Sequence, residues 1–448
     1  MIALSPSHRE RLDRLLRLWD DLVDPKVGVV RSVSEMRRDD DEPDFFHYLA
    51  IACDTGRFTA LSNFNNTGGV STTRYGAIAK ALGEAVERYC SAIFDYRDLV
   101  LAPYDELTER AVAPEKFALY SEAQHAAGTL PWRPFRRDSP VCWARGTSLV
   151  DGEPTLVPAS MVFVPFHFLR SRPDTPIGQP ISTGMACGVS WDDAVLSGLC
   201  EVIERDAFTI TWQARLSRPH VDRATLPPSV LDLIGRYEAV GLRIELMDIT
   251  TDVSVPTVLA FAIGDAPTSP AVTVAAATDP DYEIAAIKTL EELAHTRKFS
   301  RQLLQCTPPV ASDPEHGHPE VVDQRTHLRF YGPQESRAFA EFAWGSAECV
   351  GFPEPAAIPP STDVALAETV AAVAARGLEP VAVELTTPDI RGLGLRVARV
   401  VVPGMNPLFM GHHNRALGGE RLYTVPQLLG YAGLERGGPD NPYPHPFP

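Results

Sequence analysis

Residues 182–212 read S-T-G-M-A-C-G-V-S-W-D-D-A-V-L-S-G-L-C-E-V-I-E-R-D-A-F-T-I-T-W. The stretch opens as a small, Gly-rich loop. Ser190 is placed to cap a helix, and Asp192 and Asp193 fall in its first turn, where carboxylates complement the helix dipole. The helix that follows is mostly apolar and carries Glu201, Glu204 and Arg205. Spacings of three and four put those three side chains on one face. Three ions in a largely buried setting are costly unless something pairs with them.

The pattern occurs twice. Glu84, Glu87 and Arg88 sit in A-L-G-E-A-V-E-R-Y-C, again after a Gly-containing, hydroxyl-rich loop, T-G-G-V-S-T-T at 67–73. Two E-x-x-E-R helices in one chain predict a site built from two related halves. The carboxylates are expected to face each other around metal-bound phosphates. The bland alternative is salt bridging within each helix, Glu84 to Arg88 and Glu201 to Arg205, on a solvated face. Two copies with matched loops weigh against it.

Composition narrows the class. The chain has 448 residues, enough for a sizeable core and more than one sub-domain. Its 41 basic and 58 acidic residues give a net charge of −17, which argues against nucleic acid or an anionic membrane as the main partner. No apolar run reaches the ~18–20 residues of a membrane span. The N-terminus lacks a signal-peptide core. Seven cysteines without a C-x-x-C pair fit a reduced, cytoplasmic protein.

Periodicity supplies the elements. An amphipathic helix is expected at 6–24, strands at 27–33 and 47–53, and the first acidic helix at about 72–96. The charged run 37–43 reads as a solvated loop. Short helices near 104–110 and 114–127 precede strands at 142–149 and 155–165. Beyond the second acidic helix, a helix is expected at 228–239 and strands at 242–248, 256–262 and 271–277. A third strong helix, 279–299, carries Lys288, Glu292 and His295. Residues 306–361 read as irregular. Helix 362–376 and strands 380–386 and 395–402 follow. The fold class is α+β, β-sheets packed with helices. Residues 1–60 belong to the same body, 61–435 form the main domain, and 436–448 form a Pro-rich tail.

Other candidates are weaker. There is no G-x-x-x-x-G-K-[ST], and the G-x-G at Gly392 and Gly394 lacks the context of a dinucleotide site. Hard oxygen ligands on fixed helical faces suit Mg²⁺. His316, His318, His412 and His413 have no ligand partners at metal-site spacing and read as surface histidines. Cys90, Cys187 and Cys200 read as ordinary buried thiols. The tail, N-P-Y-P-H-P-F-P, is stiff and extended. It is either a disordered terminus or a rigid arm inserted somewhere specific.

Taken together, A-L-G-E-A-V-E-R-Y-C, S-T-G-M-A-C-G, G-L-C-E-V-I-E-R-D-A-F and K-T-L-E-E-L-A-H-T-R resemble the signature segments of the YcaO family. The terminal P-H-P-F-P is similar to the PxPxP ending of its azoline-forming members, the D-proteins of thiazole/oxazole-modified microcin pathways. The resemblance implies the YcaO fold, with ATP and Mg²⁺ as cofactors. It implies ATP-dependent conversion of Cys, Ser or Thr residues of a ribosomal precursor peptide to thiazoline or oxazoline. By that resemblance Glu84, Glu87, Glu201, Glu204 and Glu292 hold Mg²⁺. Ser71, Arg88, Ser182, Asp193, Arg205 and Lys288 contact or support ATP, and Pro444, Pro446 and Pro448 hold catalytic geometry. Ala81, Gly68, His295, Ser197 and Val189 depart from the family pattern.

With about 60 residues before the core, no fused precursor-binding module is expected. An E1-like C-protein carrying the leader-recognition element is therefore the expected partner. A flavin dehydrogenase in the same pathway and a homodimer are compatible with the sequence. Two rival functions are thioamide or macroamidine formation on the same fold, and a non-catalytic accessory or scaffold protein.

Overall fold

The structure, a computed structural model, describes residues 6–353, 359 and 361–448. Three sheets organise them, and each sends a strand directly into one of the carboxylate-bearing helices. In the first, β1 (Val30–Glu35), β2 (Phe46–Ala52) and β3 (Asn66–Ser71) pair antiparallel in chain order. Helices α1 (Pro6–Arg17) and α2 (Trp19–Leu22) precede it, and α3 (Arg74–Ser91) leaves β3. The helix expected over 6–24 is thus broken at Leu18.

Next come β4 (Val100–Ala102), α4 (Glu122–Ala126), β5 (Val141–Ser148), β6 (Pro154–Pro158) and β7 (Met185–Gly188), followed by α5 (Trp191–Gln213). Then β8 (His220–Val221), α6 (Pro228–Glu238), β9 (Arg243–Asp248), β10 (Thr257–Ile263) and β11 (Val272–Thr278) run into α7 (Tyr282–Cys306). The chain closes with α8 (Gln324–Phe330), β12 (Cys349–Val350), α9 (Thr362–Ala374), β13 (Val381–Glu384), α10 (Pro388–Gly392), β14 (Arg396–Val401) and α11 (Arg421–Leu428).

The second sheet has the order β11-β10-β9-β8-β12. Its end strand β11 and the neighbouring β10 are buried along their whole length, as their largely apolar runs require. The third has the order β4-β5-β13-β14-β7, with β6 on β5. Its β13-β14-β7 portion is an antiparallel triplet ending in a helix, like β1-β2-β3, but two of its strands come from nearly two hundred residues further along the chain. Among the described residues no helix is long and apolar enough to cross a membrane.

The two stretches expected as loops, 67–73 and 182–188, hold strands β3 and β7. Strand propensity is poor there because glycine is needed for contact with the helices, not for turning. A Cβ at Gly69 would lie 2.0 Å from the Ala77 carbonyl oxygen, and one at Gly188 would lie 2.4 Å from the Ala194 nitrogen. Gly184 (φ +89°) turns the chain into β7, with a Cβ there 2.3 Å from the Val400 oxygen of β14, and a Cβ on Gly198 of α5 would sit 2.5 Å from the Gly184 oxygen. The helices start alike. Thr73 caps α3 by accepting from the Gly76 N–H, and Ser190 caps α5 by accepting from the Asp193 N–H, as expected for Ser190.

Two other expectations change. The charged run 37–43 is docked rather than solvated. Glu42 is 4% exposed and accepts from Lys298 Nζ at 2.7 Å, while Arg301 binds Asp39 at 2.6 Å and Asp41 at 2.7 Å. Its acidic residues find cations on one face of α7, which composition alone does not reveal. Segment 306–361, expected to be irregular, contains α8. Its Pro-rich end falls partly outside the described residues.

Gly69→Ala is expected to lower stability by about 1–3 kcal/mol, because backbone must shift to admit the methyl. Gly235→Ala in α6 meets nothing within 4 Å and is expected to raise stability by about 0.8–1 kcal/mol. Urea melts of the two variants check the contrast.

Candidate active site

Helices α3, α5 and α7 and the strands that feed them enclose a cleft of about 540 Å³. Glu84, Glu87, Glu201, Glu204 and Glu292 all line it, as do Arg88, Arg205, Lys288, Ser182 and Asp193. The structure therefore brings ten of the eleven expected ATP and metal residues to one wall.

The two E-x-x-E-R motifs are built alike. Glu84 Oε2 accepts from the Gly68 N–H at 2.9 Å, and its Oε1 accepts from Arg88 Nη2 at 3.3 Å. Glu201 Oε2 accepts from the Gly184 N–H at 3.1 Å, and its Oε1 accepts from Arg205 Nη2 at 3.4 Å. The same guanidinium then reaches the second glutamate: Arg88 Nη1 lies 3.6 Å from Glu87, and Arg205 Nη1 pairs with Glu204. Intrahelical bridging thus exists, yet it occurs in a half-buried cleft rather than on a solvated face.

Burial and neighbouring charges shift the carboxylates in opposite directions. Burial pushes Glu87 up to about 8; Arg88 opposes this, while Glu201 and Glu84 add to it. Burial would also raise Glu292, but the His295 hydrogen bond and the charges of Lys80, His295 and Arg205 hold it at about 2. His295 is itself raised by Glu292 and Glu84 against the effect of burial. The carboxylate oxygens keep lone pairs beyond these bonds, and hard oxygen donors fit a divalent metal. Among the described residues no three His, Cys, Asp or Glu side chains converge tightly enough to hold an ion alone. The remaining ligands would be phosphate oxygens and water, which is how Mg²⁺ is usually bound.

Lys80, absent from the sequence reading, also lines the cleft. Its Nζ lies 2.7 Å from Glu291 Oε2 and 3.8 Å from Glu292. The available signal was its position four residues before Glu84, on the same helical face. Glu291 is held by the Ser71 hydroxyl at 2.9 Å and the Thr72 N–H at 3.1 Å. Ser71 is therefore behind the cleft wall, supporting Lys80 through Glu291. Lys288 is paired with Asp279 at 2.6 Å. Asp193 is 4% exposed, and its Oδ2 accepts from the Val189 N–H at 3.0 Å, closing the turn into α5. The departures at Gly68 and His295 prove to be one feature. A Cβ at 68 would lie 2.4 Å from His295 Nε2, so the glycine makes room for the imidazole.

The tail is inserted. Trp212 Nε1 donates to the Tyr443 carbonyl (3.2 Å), the Tyr331 hydroxyl to that of Pro444 (2.7 Å) and His327 Nδ1 to that of His445 (2.8 Å). Phe447 is 2% exposed, packs on Phe208 and lies under the Arg205 guanidinium at 4.4 Å. Pro444 and Pro446 lie in this socket, and Pro448 lines the cleft.

The socket corrects the histidine reading. His318 and His412 are 1% exposed, while His316 and His413 are on the surface. His327, His318 and His412 pack around residues 442–445, and His327 stacks on His445 at 4.0 Å. The polar look of the local sequence hid this, because Tyr443 and Pro442, which respectively lie against His318 and bond to His412, belong to the tail.

Burial holds all four histidines below their ordinary pKa, His327 at about 3 and His412 at about 2. A released tail would restore them towards 6.5. The seated state is therefore fully stable above about pH 6.5 and weakens as pH falls towards 3. Each histidine that regains its proton on release contributes about 1.4 kcal/mol per pH unit. Hydrogen-exchange protection factors for residues 441–448 are expected to drop between pH 7.5 and 5.5, before the body melts. Protection that stays flat over that range would contradict the assignment.

A protein-family model described as YcaO cyclodehydratase, ATP- and Mg²⁺-binding, matches residues 68–406, about three quarters of the chain. A heterocyclase solved in complex with substrate and cofactor is similar in fold, with a TM-score of 0.77 at 21% identity over 98% of this chain and 57% of its own. The YcaO protein of Methanopyrus kandleri, bound with AMPPCP and Mg²⁺, gives a TM-score of 0.66 at 19% identity, covering 91% of this chain and 94% of its own. An uncharacterised protein of Methanothermobacter thermautotrophicus is 30% identical over 231 residues, 51% of this chain and 56% of its own length. The chain thus spans little more than half of the first and third of these. The paired E-x-x-E-R helices lie inside the matched segment, and the chain belongs to the YcaO family.

Proposed function

We propose that the chain is an ATP-dependent peptide cyclodehydratase that forms thiazoline or oxazoline rings in a ribosomal precursor peptide. One observation carries the reading: two matched carboxylate–guanidinium helices and Glu292 line one cleft that the inserted tail also reaches. In the proposed reaction a Cys, Ser or Thr side chain attacks the preceding amide carbonyl. The resulting hemiorthoamide oxygen takes the γ-phosphoryl of ATP, and loss of phosphate leaves the ring. The peptide loses one water, about 18 Da, per ring.

The residues divide this work. Glu84, Glu87, Glu201, Glu204 and Glu292 would hold Mg²⁺ with the nucleotide phosphates. When bound, the ion would supply neutralisation of phosphoryl charge. Arg88, Arg205, Lys288, Lys80 and His295 are the cations available to phosphate, and a guanidinium suits its oxygens geometrically. Ser182 and Asp193 would meet the nucleoside end. Ser71 acts through Glu291 on Lys80. Phe447 closes over Arg205 and excludes water from one side of the cleft, and Pro448 completes its wall. Pro444 and Pro446 keep the arm extended. The precursor peptide is the proposed substrate, and an E1-like leader-binding protein is the proposed partner.

Incubation with precursor, partner and ATP is expected to lower peptide mass by about 18 Da per ring with ATP consumed. No mass change under any partner combination would contradict the proposal. Glu201→Ala is expected to lose at least tenfold in Mg²⁺-dependent nucleotide affinity by calorimetry, and unchanged affinity would refute the metal assignment. Deleting Pro448 alone is expected to slow ring formation while nucleotide affinity stays within about threefold. Removing 444–448 also empties the socket. Phe447 burial alone contributes about 2 kcal/mol and each tail hydrogen bond about 1 kcal/mol, so that deletion should lower Tm as well.

A further inference from the structure

The segment entering β7 and the loop leaving β14 enclose a second, smaller cavity of about 110 Å³. Its lining is mainly apolar and includes Met161, Val202, Val401 and Phe409. Ile181, Thr183 and Leu408 belong both to its wall and to that of the larger cleft, so the two spaces adjoin. The size is of the order of the ~150 Å³ apolar cavity that admits benzene, enough for one amino-acid side chain.

Two residues of its lining, Arg399 and Asn406, carry buried polar atoms without a partner among the described residues. Arg399, on β14, is 4% exposed, and its Nε and Nη1 make no hydrogen bond among the described residues. Asn406 is 2% exposed; its Nδ2 donates to Asp206 at 2.9 Å, and its Oδ1 has no partner among the described residues. Buried donors and acceptors are rarely left unpaired in a native protein. Arg399 stands in the field of Glu201 and Glu87, which offset its charge without bonding to it, while burial draws it down to about 10. A second anion would meet the field of those carboxylates. What the guanidinium lacks is a neutral acceptor, and what the cavity lacks is apolar bulk.

We propose that this cavity is a subsite for one apolar residue of the peptide substrate, whose side chain fills it and whose main-chain carbonyl accepts from Arg399. The proposal rests on the chain acting on a peptide, and it names a residue beside the reacting one. It is a recognition site and involves no chemical step.

The probes are N-acetyl-leucinamide and N-acetyl-glycinamide, titrated into the full chain by ligand-observed NMR. The leucine amide is expected to bind saturably with a roughly millimolar Kd, and the glycine amide at least tenfold more weakly. Arg399→Gln and Ala416→Leu, the latter filling the cavity, are each expected to weaken the leucine amide at least tenfold. Equal affinity for the two amides, or leucine-amide binding indifferent to both substitutions, would overturn the proposal. Crystals soaked with the leucine amide give a readout free of variant folding: density in this cavity supports the subsite, and density elsewhere or none overturns it. Leucine-amide binding in a protein that forms no ring on any precursor would overturn the cyclodehydratase reading and uphold the subsite.

Discussion

Glu84 and Glu201 each sit where a strand N–H and a guanidinium one helical turn on converge, at 2.9 and 3.3 Å in one case and 3.1 and 3.4 Å in the other. Much of the fold follows from making that junction twice. The helix must come close enough to the strand for its glutamate to reach a peptide N–H. This is why Gly69, Gly184, Gly188 and Gly198 stand where a Cβ would strike backbone. Each carboxylate spends one oxygen on the strand and one on the arginine and keeps lone pairs towards the cleft. The arrangement fixes carboxylate positions, and burial, with Glu201 and Glu84 nearby, raises Glu87 against the pull of Arg88. A site poised in this way gains most from a cation that arrives with its own phosphate.

The third helix and the tail close the ring. α7 brings Glu292 and His295 to the cleft, and it holds the N-terminal acidic loop through Lys298 and Arg301 on another face. Asp206, one residue past Arg205, anchors Arg421 at 2.8 Å and the Asn406 backbone at 2.8 Å. The helix that carries the motif therefore also positions α11 and the loop beside the smaller cavity. Residues 441–448 then run over α5, and Phe447 packs between Phe208 and Arg205. Tail and motif are one packing unit, so a change in either is felt by the other.

The α+β class, the three acidic helices and their shared cleft were legible because they rest on local signals: helical spacing, caps and a repeated motif. The parts that were not legible depend on contacts between distant segments. β3 and β7 looked like loops because their glycines answer to a helix lying across them. His318 and His412 looked exposed because Tyr443, which lies against His318, and Pro442, which bonds to His412, belong to the tail. Glu42 looked solvated because Lys298 is 256 residues away. Ser71 carried the right hydroxyl in the right segment, but its partner is Glu291, and only the packing of α7 shows that it supports Lys80 from behind. The pairing of Gly68 with His295 has the same origin: each looked like an isolated departure, and they compensate in space.

The central claim is that the two glutamate pairs and Glu292 form one metal–nucleotide site. Anomalous diffraction from crystals grown with Mn²⁺ and a non-hydrolysable ATP analogue tests it most directly. The account predicts Mn²⁺ peaks between the carboxylates of α3, α5 and α7, each also bonded to phosphate oxygens. Nucleotide bound elsewhere, or peaks that leave Glu84 and Glu201 bonded only to their own arginines, would contradict it.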